Sequence, residues 1–352
     1  MASRPPGPRS VTVGSHTIPV RMIIFWAGAT FWIGDMIVHT GWAGIAELRA
    51  SLYFVIELVI ITSATRTIDL DRVASMYCLG GGMMAVMFLV SAVFTSLVPS
   101  PDAVSRQFVV PLMEEALKLA PVAFFLWRRR GTRLWSVGAS DVLLLAVASG
   151  AGFGLVEEAY YHHDLGPTLA LDWFPLTRIN GATLTVGHAT WTGLAGATLG
   201  LALLWRPRKP LNYLLAGSGL LWSIIDHCHH NYGVDRRGIS VDLFNGITGH
   251  GWLSLYFFVL AVIVVIAADL NVIHRVLPPV PELHTPLTRL LSFNKDAVSA
   301  WQFLLTRRAL AFAGVHYRQE PPSVRSGQLE PVLQGLAGTL VGLRATEAAA
   351  VP

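Results

Sequence analysis

Pro111-Leu-Met-Glu-Glu-Ala-Leu-Lys118 sets two adjacent carboxylates and an ammonium inside an apolar run that extends from Phe108 to Trp127. A bilayer core about 30 Å thick needs about 20 apolar helical residues, the length of this run. Ionisable groups are expensive in such a helix and turn toward protein or a cavity rather than lipid. The run therefore reads as a membrane span that carries a polar task. The rest of the chain is built to match: of 352 residues, 53% are hydrophobic and only 14% charged, and mean hydropathy is +0.52. A soluble protein carries about 25% charged residues, so an ordinary cytosolic enzyme is excluded. The two cysteines, Cys78 and Cys228, fall inside apolar stretches and leave no disulfide framework or Cys-rich zinc module. The net charge of +4 comes from basic residues scattered at the ends of apolar runs, which argues against nucleic-acid binding.

Working outward, eight windows have the length and hydropathy of spans: Met22–Gly44, Ser51–Ala64, Ser75–Val98, Phe108–Trp127, Val137–Tyr161, Gly181–Trp205, Leu211–His230 and Gly249–Asp269. The expected class is all-α, a polytopic membrane protein with its working core in spans four to seven. Residues 1–19, rich in Pro, Gly, Ser and Arg, read as a disordered arm, and 20–270 as the multi-span domain with its motif core at 108–231. Residues 271–352 read as a Pro-containing tail with one amphipathic helix, Asp296–Val315, where Trp301, Leu304, Leu305 and Ala309 recur at helical spacing. Arg4, Arg9, Arg21, Arg66, Arg72, Arg128, Arg129, Arg130, Arg133, Arg206, Arg208 and Lys209 outweigh Arg49, Arg106, Arg178, Arg236 and Arg237 on the other side, so both termini are expected in the cytoplasm.

Three more spans carry polar groups. The fifth ends in Phe153-Gly-Leu-Val-Glu157-Glu158, followed by His162 and His163; the sixth has His188 near its start; the seventh ends in Asp226-His-Cys-His-His-Asn231. At 1.5 Å per residue, Glu115 lies about 20 Å outward from Arg128, His188 about 27 Å from Arg206, His227 about 27 Å from Lys209 and Glu157 about 33 Å from Trp135. Alternate spans run in opposite directions, yet these groups reach one outer level, which suggests a shared cavity. Each also has a plainer reading. Glu114 and Lys118 are four apart and suit an internal ion pair. Phe153 and Glu157 share a helical face as ordinary packing does. His188 alone suits a hydrogen-bonded core position, and His227, His229 and His230 suit a solvated helix end.

Glutamates and imidazoles in a low-dielectric pocket can do general acid and base work on water, or hold a divalent metal that lowers the pKa of bound water. Other hydrolytic devices are missing from the sequence: there is no H-E-x-x-H, no helix-borne pair of aspartates, no Ser paired with His and no thiol–imidazole dyad. A proton- or cation-coupled transporter could use the same groups, but would show repeated halves with broken helices, and no repeat is visible.

Glu114-Glu115-x-x-Lys118, Phe153-x-x-x-Glu157, His188 followed by Ala-Thr-Trp-Thr-Gly, and His227-x-x-x-Asn231 resemble, in this order, the motifs of the PrsW-type intramembrane proteases. That family is related to the CAAX prenyl endopeptidases and the bacterial CPBP proteins. The resemblance covers Pro111 to Asn231. The second motif ends in Glu157 rather than the His of the prenyl endopeptidases, which favours PrsW, and only the register from His227 to Asn231 fits the last motif, since the one ending at Asp226 would put Trp222 at its His. The resemblance implies cleavage of a single-span membrane protein such as an anti-sigma factor, near the outer face of a bacterial cell membrane. It also implies roles: Glu114 or Glu115 as base, Glu157 as second carboxylate, His188 as catalytic or ligand residue, and His227 with Asn231 supporting an oxyanion. Lys118, Phe153, Glu158 and Arg178 would support them. A metal ion, zinc if any, would take Glu157, His188 and His227; members are often labelled metalloproteases, whereas structural relatives suggest glutamate-activated water without a catalytic metal.

Overall fold

The computed structural model describes residues 10–13, 16–19, 42–97, 108–128, 136–161, 177–180, 183–205, 209–235, 241–276, 296–319, 323, 330–331 and 333–339. The main helices are α1 (Trp42–Ile61), α2 (Leu70–Leu97), α3 (Val110–Arg128), α4 (Ala139–Tyr161), α5 (His188–Trp205), α6 (Lys209–Asp235), α7 (Val241–Thr248), α8 (Trp252–Val276) and α9 (Asp296–Gln319). Two antiparallel hairpins accompany them: β1 (Ser10–Val13) with β2 (His16–Pro19), and β3 (Thr177–Asn180) with β4 (Thr183–Val186).

Helix α4 is the axis of the bundle. From Ser140 to Phe153 every residue is buried, so a helix apolar all round is enclosed all round. Helices α5 and α2 pack most extensively on it, with α1, α3 and α8 completing the ring. Lipid tails are as apolar as Leu, so helices in a bilayer associate through close packing and hydrogen bonds, which small residues permit. At the α2–α4 crossing the two backbones meet through Gly80, whose absent Cβ would land on the carbonyl of Ser149, and Gly152, whose Cβ would land on that of Tyr77. Ser51 Oγ, 2.9 Å from Tyr77 Oη, also donates to the Ala151 carbonyl at 3.3 Å and ties α1 into the same crossing. Gly80→Ala is expected to lower the melting temperature of the detergent-solubilised protein, at a cost of about 1–3 kcal/mol, because backbone rather than a flexible side chain must give way. An unchanged melt would mean that α2 and α4 do not cross this closely.

The outer surface is apolar: Ile56, Ile60, Leu79, Leu89, Leu214, Leu260 and Ile263 are exposed, whereas the ionisable groups described below are inside. Such an arrangement suits a lipid solvent. Among the described residues, three stretches are long and apolar enough to cross a membrane, Leu70–Phe94, Ala139–Glu158 and Leu243–Val276. The chain is an all-α membrane protein.

Several expected boundaries move. Of the first expected span, 22–41 lie outside the described residues, and Trp42–Gly44 belong to α1, one continuous helix to Ile61 that absorbs the short second span. Gly44 falls in the first turn of this helix, where a glycine costs at most about 1 kcal/mol and does not break it. The sixth span, expected from Gly181, begins as a hairpin: β-branched Thr183, Thr185 and Val186 extend the chain, and the Gly187 carbonyl then accepts the amides of Thr190 and Trp191 to start α5 at His188. The eighth begins at Trp252, after a turn in which Gly249, His250 and Gly251 all have positive φ. There the His250 carbonyl takes the Leu184 amide at 2.8 Å and seats β4. The N-terminal arm expected to be disordered forms the β1–β2 hairpin in its described part, where Val11, Val13, Thr17 and Ile18 favour strand.

At the end where α4 begins, Asp269 of α8 accepts the Ala139 and Ser140 amides at 2.9 and 2.8 Å and the Ser140 hydroxyl at 2.6 Å, so a distant carboxylate caps the central helix. The tail helix is no loose appendage. Leu304, Leu305, Ala309, Ala311, Phe312 and Ala313 of α9 are buried, α9 packs on α8, and the Phe312 ring closes over Gly138.

Candidate active site

Four helices bring their polar groups to one place. Counted from the observed helix ends, Glu115 lies about 20 Å from Arg128, Glu157 about 27 Å from Ala139, His188 about 26 Å from Trp205 and His227 about 27 Å from Lys209. The common level expected from the sequence is thus a common site, and the later start of α4 brings Glu157 to the height of the histidines.

Positions 114, 115 and 118 face inward on α3, with Glu115 and Lys118 fully buried and Glu114 nearly so. Lys118 Nζ donates to Glu115 Oε1 at 2.7 Å and lies 3.7 Å from Glu114 Oε2. The internal ion pair is therefore mainly with Glu115, three residues away, rather than with Glu114, four away. An ammonium has no acceptor, so where Nζ also meets His188 Nδ1 the imidazole nitrogen must accept. The His188 proton then sits on Nε2, which contacts Glu157 Oε2. His227 has the opposite tautomer. Its Nδ1 lies 2.9 Å from Glu115 Oε1, an oxygen already held as a carboxylate by Lys118, so Nδ1 carries the proton and donates. His227 Nε2 is left with its lone pair, 3.5 Å from Glu114 Oε2, a buried oxygen with no hydrogen bond.

Aromatic rings wall the cluster. Lys118 Nζ stands 4.8 Å from the Phe153 ring centre and 5.8 Å from that of Trp191, which replaces part of its lost hydration. Trp191 stacks on His227 with centroids 4.4 Å apart and planes 16° apart, and its Nε1 donates to Asp226 Oδ2 at 2.7 Å. Trp191 and Asp226 were not among the expected site residues. The only sequence signals for them are their places inside the His-Ala-Thr-Trp and Asp-His segments.

The other expected residues fall as follows. Glu158 is half-buried beside Glu157 on α4. Asn231 is half-buried one turn beyond His227, and among the described residues no hydrogen bond joins it to the cluster. Arg178 is on β3, but its side chain lies outside the described residues, as do His162 and His163. His230 Nδ1 is 3.3 Å from Thr185 Oγ1, and His229 Nε2 is 2.7 Å from Asn245 Oδ1.

Glu114, His188 and His227 could hold a metal ion, since their donor atoms all lie within 4.8 Å of one another. This trio differs from the expected Glu157, His188 and His227, because Glu157 Oε2 is turned to the Nε2 side of His188. A carboxylate and two imidazoles suit a catalytic zinc site, which keeps one coordination position open for water. Glu114 Oε2 and His227 Nε2 are open to such an ion, whereas His188 Nδ1 is open to it only in exchange for the Lys118 ammonium.

No curated protein and no solved structure matches the chain significantly. The family model for the PrsW family intramembrane metalloproteases matches residues 71–268, from α2 to α8, and so spans every group in the cluster. With more than half of its 352 residues matched and its glutamates, lysine and histidines gathered inside an apolar bundle, the chain belongs to the PrsW family and is a membrane-embedded peptidase.

Proposed function

We propose that this peptidase hydrolyses a peptide bond of a single-span membrane protein, near the extracytoplasmic face of a bacterial cell membrane, with Glu114 as general base. The observation that carries the assignment is the contrast within the Glu-Glu pair: Glu115 Oε1 takes both Lys118 Nζ and His227 Nδ1 at hydrogen-bond distance, whereas Glu114 meets the same two groups only at 3.7 and 3.5 Å. Glu114 takes a proton from water as the water oxygen attacks the scissile carbonyl. The proton passes to the leaving amine as the C–N bond breaks, with His227 Nε2 placed to share it. Glu115 stays ionised to hold His227 in its tautomer, and Glu157 does the same for His188. Asn231, half-buried toward the outer end of α6, would donate to the developing oxyanion only once substrate draws it in. A zinc-type ion, when bound by Glu114, His188 and His227, would lower the pKa of its water and polarise the carbonyl.

The topology that goes with this reading has eight spans and both termini in the cytoplasm, with α9 beneath the bundle. Its substrate class is that of a site-1 protease, of which a membrane-anchored anti-sigma factor is the type. The test is reconstitution of purified protein with a single-span substrate in liposomes, with and without a chelator. His188→Ala is expected to lose cleavage while the protein remains folded in the membrane, and normal cleavage by this variant would remove the site assignment. Loss with chelator that zinc restores gives the activation of water to the bound ion; full activity in chelator gives it to Glu114 alone.

A further inference from the structure

The end of the bundle where α4 begins carries positive charge that peptide hydrolysis does not use. Arg66, in the link between α1 and α2, is 3% exposed, yet its Nε and Nη1 have no hydrogen-bond partner. Burying a charged donor without a partner is costly. The guanidinium lies 5.1 Å from the ring centre of Trp301 on α9, and that of Arg308, on the same helix, lies 5.8 Å from it. Arg308 gives its Nη1 to the carbonyls of Ser63 at 2.6 Å and Arg66 at 3.2 Å. Among the described residues neither arginine forms an ion pair.

The carboxylates that act on this pair are Asp141 and Asp69. Asp141 is already committed to the Thr67 hydroxyl and to the amides of Thr67, Ile68 and Gly138. Burial pulls the Arg308 guanidinium down to about 10, with Arg66 and Arg307 adding to the shift against the pull of Asp141; burial lowers Arg66 as well. Both remain cations at neutral pH. Two guanidiniums are thus held against one indole with too little negative charge beside them. A group with several anionic oxygens, at the geometry of the guanidinium fork, supplies what is missing. Basic pockets between helices at a membrane surface, with Trp at the same level, suit phosphate-bearing headgroups.

We propose that Arg66 and Arg308, brought together on Trp301 by the docking of α9, form a binding site for a phosphate group, supplied by the headgroup of an anionic phospholipid. Free inorganic phosphate offers the same chemistry, and the test separates the two sources. The full chain is placed in nanodiscs of phosphatidylcholine alone or mixed with phosphatidylglycerol, and thermal unfolding is followed; inorganic phosphate is titrated onto the detergent-solubilised protein in a second arm. Phosphatidylglycerol is expected to raise the melting temperature of the wild type and of Arg318→Gln, an exposed position on the same helix. Arg66→Gln and Arg308→Gln should each weaken the lipid response about fivefold. Arg66→Lys keeps the charge and should keep part of the response, which separates a lost site from a failed fold. An equal response to inorganic phosphate that needs both arginines retains the site and assigns it to the free anion. A wild type that answers neither source, or variants that answer as the wild type does, overturns the proposal.

Discussion

Glu114→Gln is expected to lower the rate of substrate cleavage about a thousandfold, with little change in melting temperature. Loss of a positioned general base costs about a hundred- to ten-thousandfold, and the amide is the right size but cannot take the proton. Stability should survive because Glu114 makes only long pairs, 3.7 Å to Lys118 and 3.5 Å to His227, and its buried Oε2 has no hydrogen bond to lose. The comparison that gives the result meaning is Glu115→Gln, which should lose both activity and stability, since Glu115 is the counterion of Lys118 and the acceptor for His227. Should Glu115→Gln be the variant that keeps its melt and loses its rate, with Glu114→Gln active, the two roles are reversed.

Lys118→Met carries the larger structural effect. It removes the ammonium that lies against Glu115, His188 and the Phe153 ring in a position with no exposure. The Glu115 carboxylate is then buried without its cation, and breaking one partner out of a buried pair costs about 3–5 kcal/mol. His188 Nδ1 also loses its donor, so the tautomer that points a proton at Glu157 is no longer enforced. Cleavage should be abolished and the melting temperature sharply lowered. Lys118→Arg should not rescue, because the guanidinium needs more room than the space between Phe153 and Trp191 allows. The double variant Glu115→Gln with Lys118→Met should be less destabilised than the sum of the two, because neither charge is then left alone. Strict additivity would show that the pair does not interact as the distances require.

The Glu-Glu-x-x-Lys segment was legible from sequence because charge inside a 20-residue apolar run is conspicuous, and helical spacing puts 114, 115 and 118 on one face. The choice between Glu114 and Glu115 was not legible. Both are within reach of Lys118 along α3, and only the arrival of His227 on Glu115, 112 residues away in sequence, separates them. The candidate metal trio shifted for the same reason: Glu157 matches a motif, but it pairs with His188 Nε2 instead of joining Glu114, His188 and His227. The hairpin before His188 was hidden because Leu184 and Val186 keep a hydropathy window apolar across β4, although they alternate with threonines. Asp226 with Trp191 escaped notice because an indole donor and its acceptor 35 residues on leave no periodic trace.

Local properties were enough for the class of protein, the helical runs and the residue types of the site, since hydropathy, helical period and the cost of charge in lipid act on each segment alone. The partners of each charge depended on how α3, α5 and α6 close around α4, through glycine contacts and buried hydrogen bonds that join distant parts of the chain. That closure leaves one glutamate hydrogen-bonded to Lys118 and His227 and its neighbour with long pairs alone, and it sets α9 over the far end of the bundle, where its arginine meets Arg66.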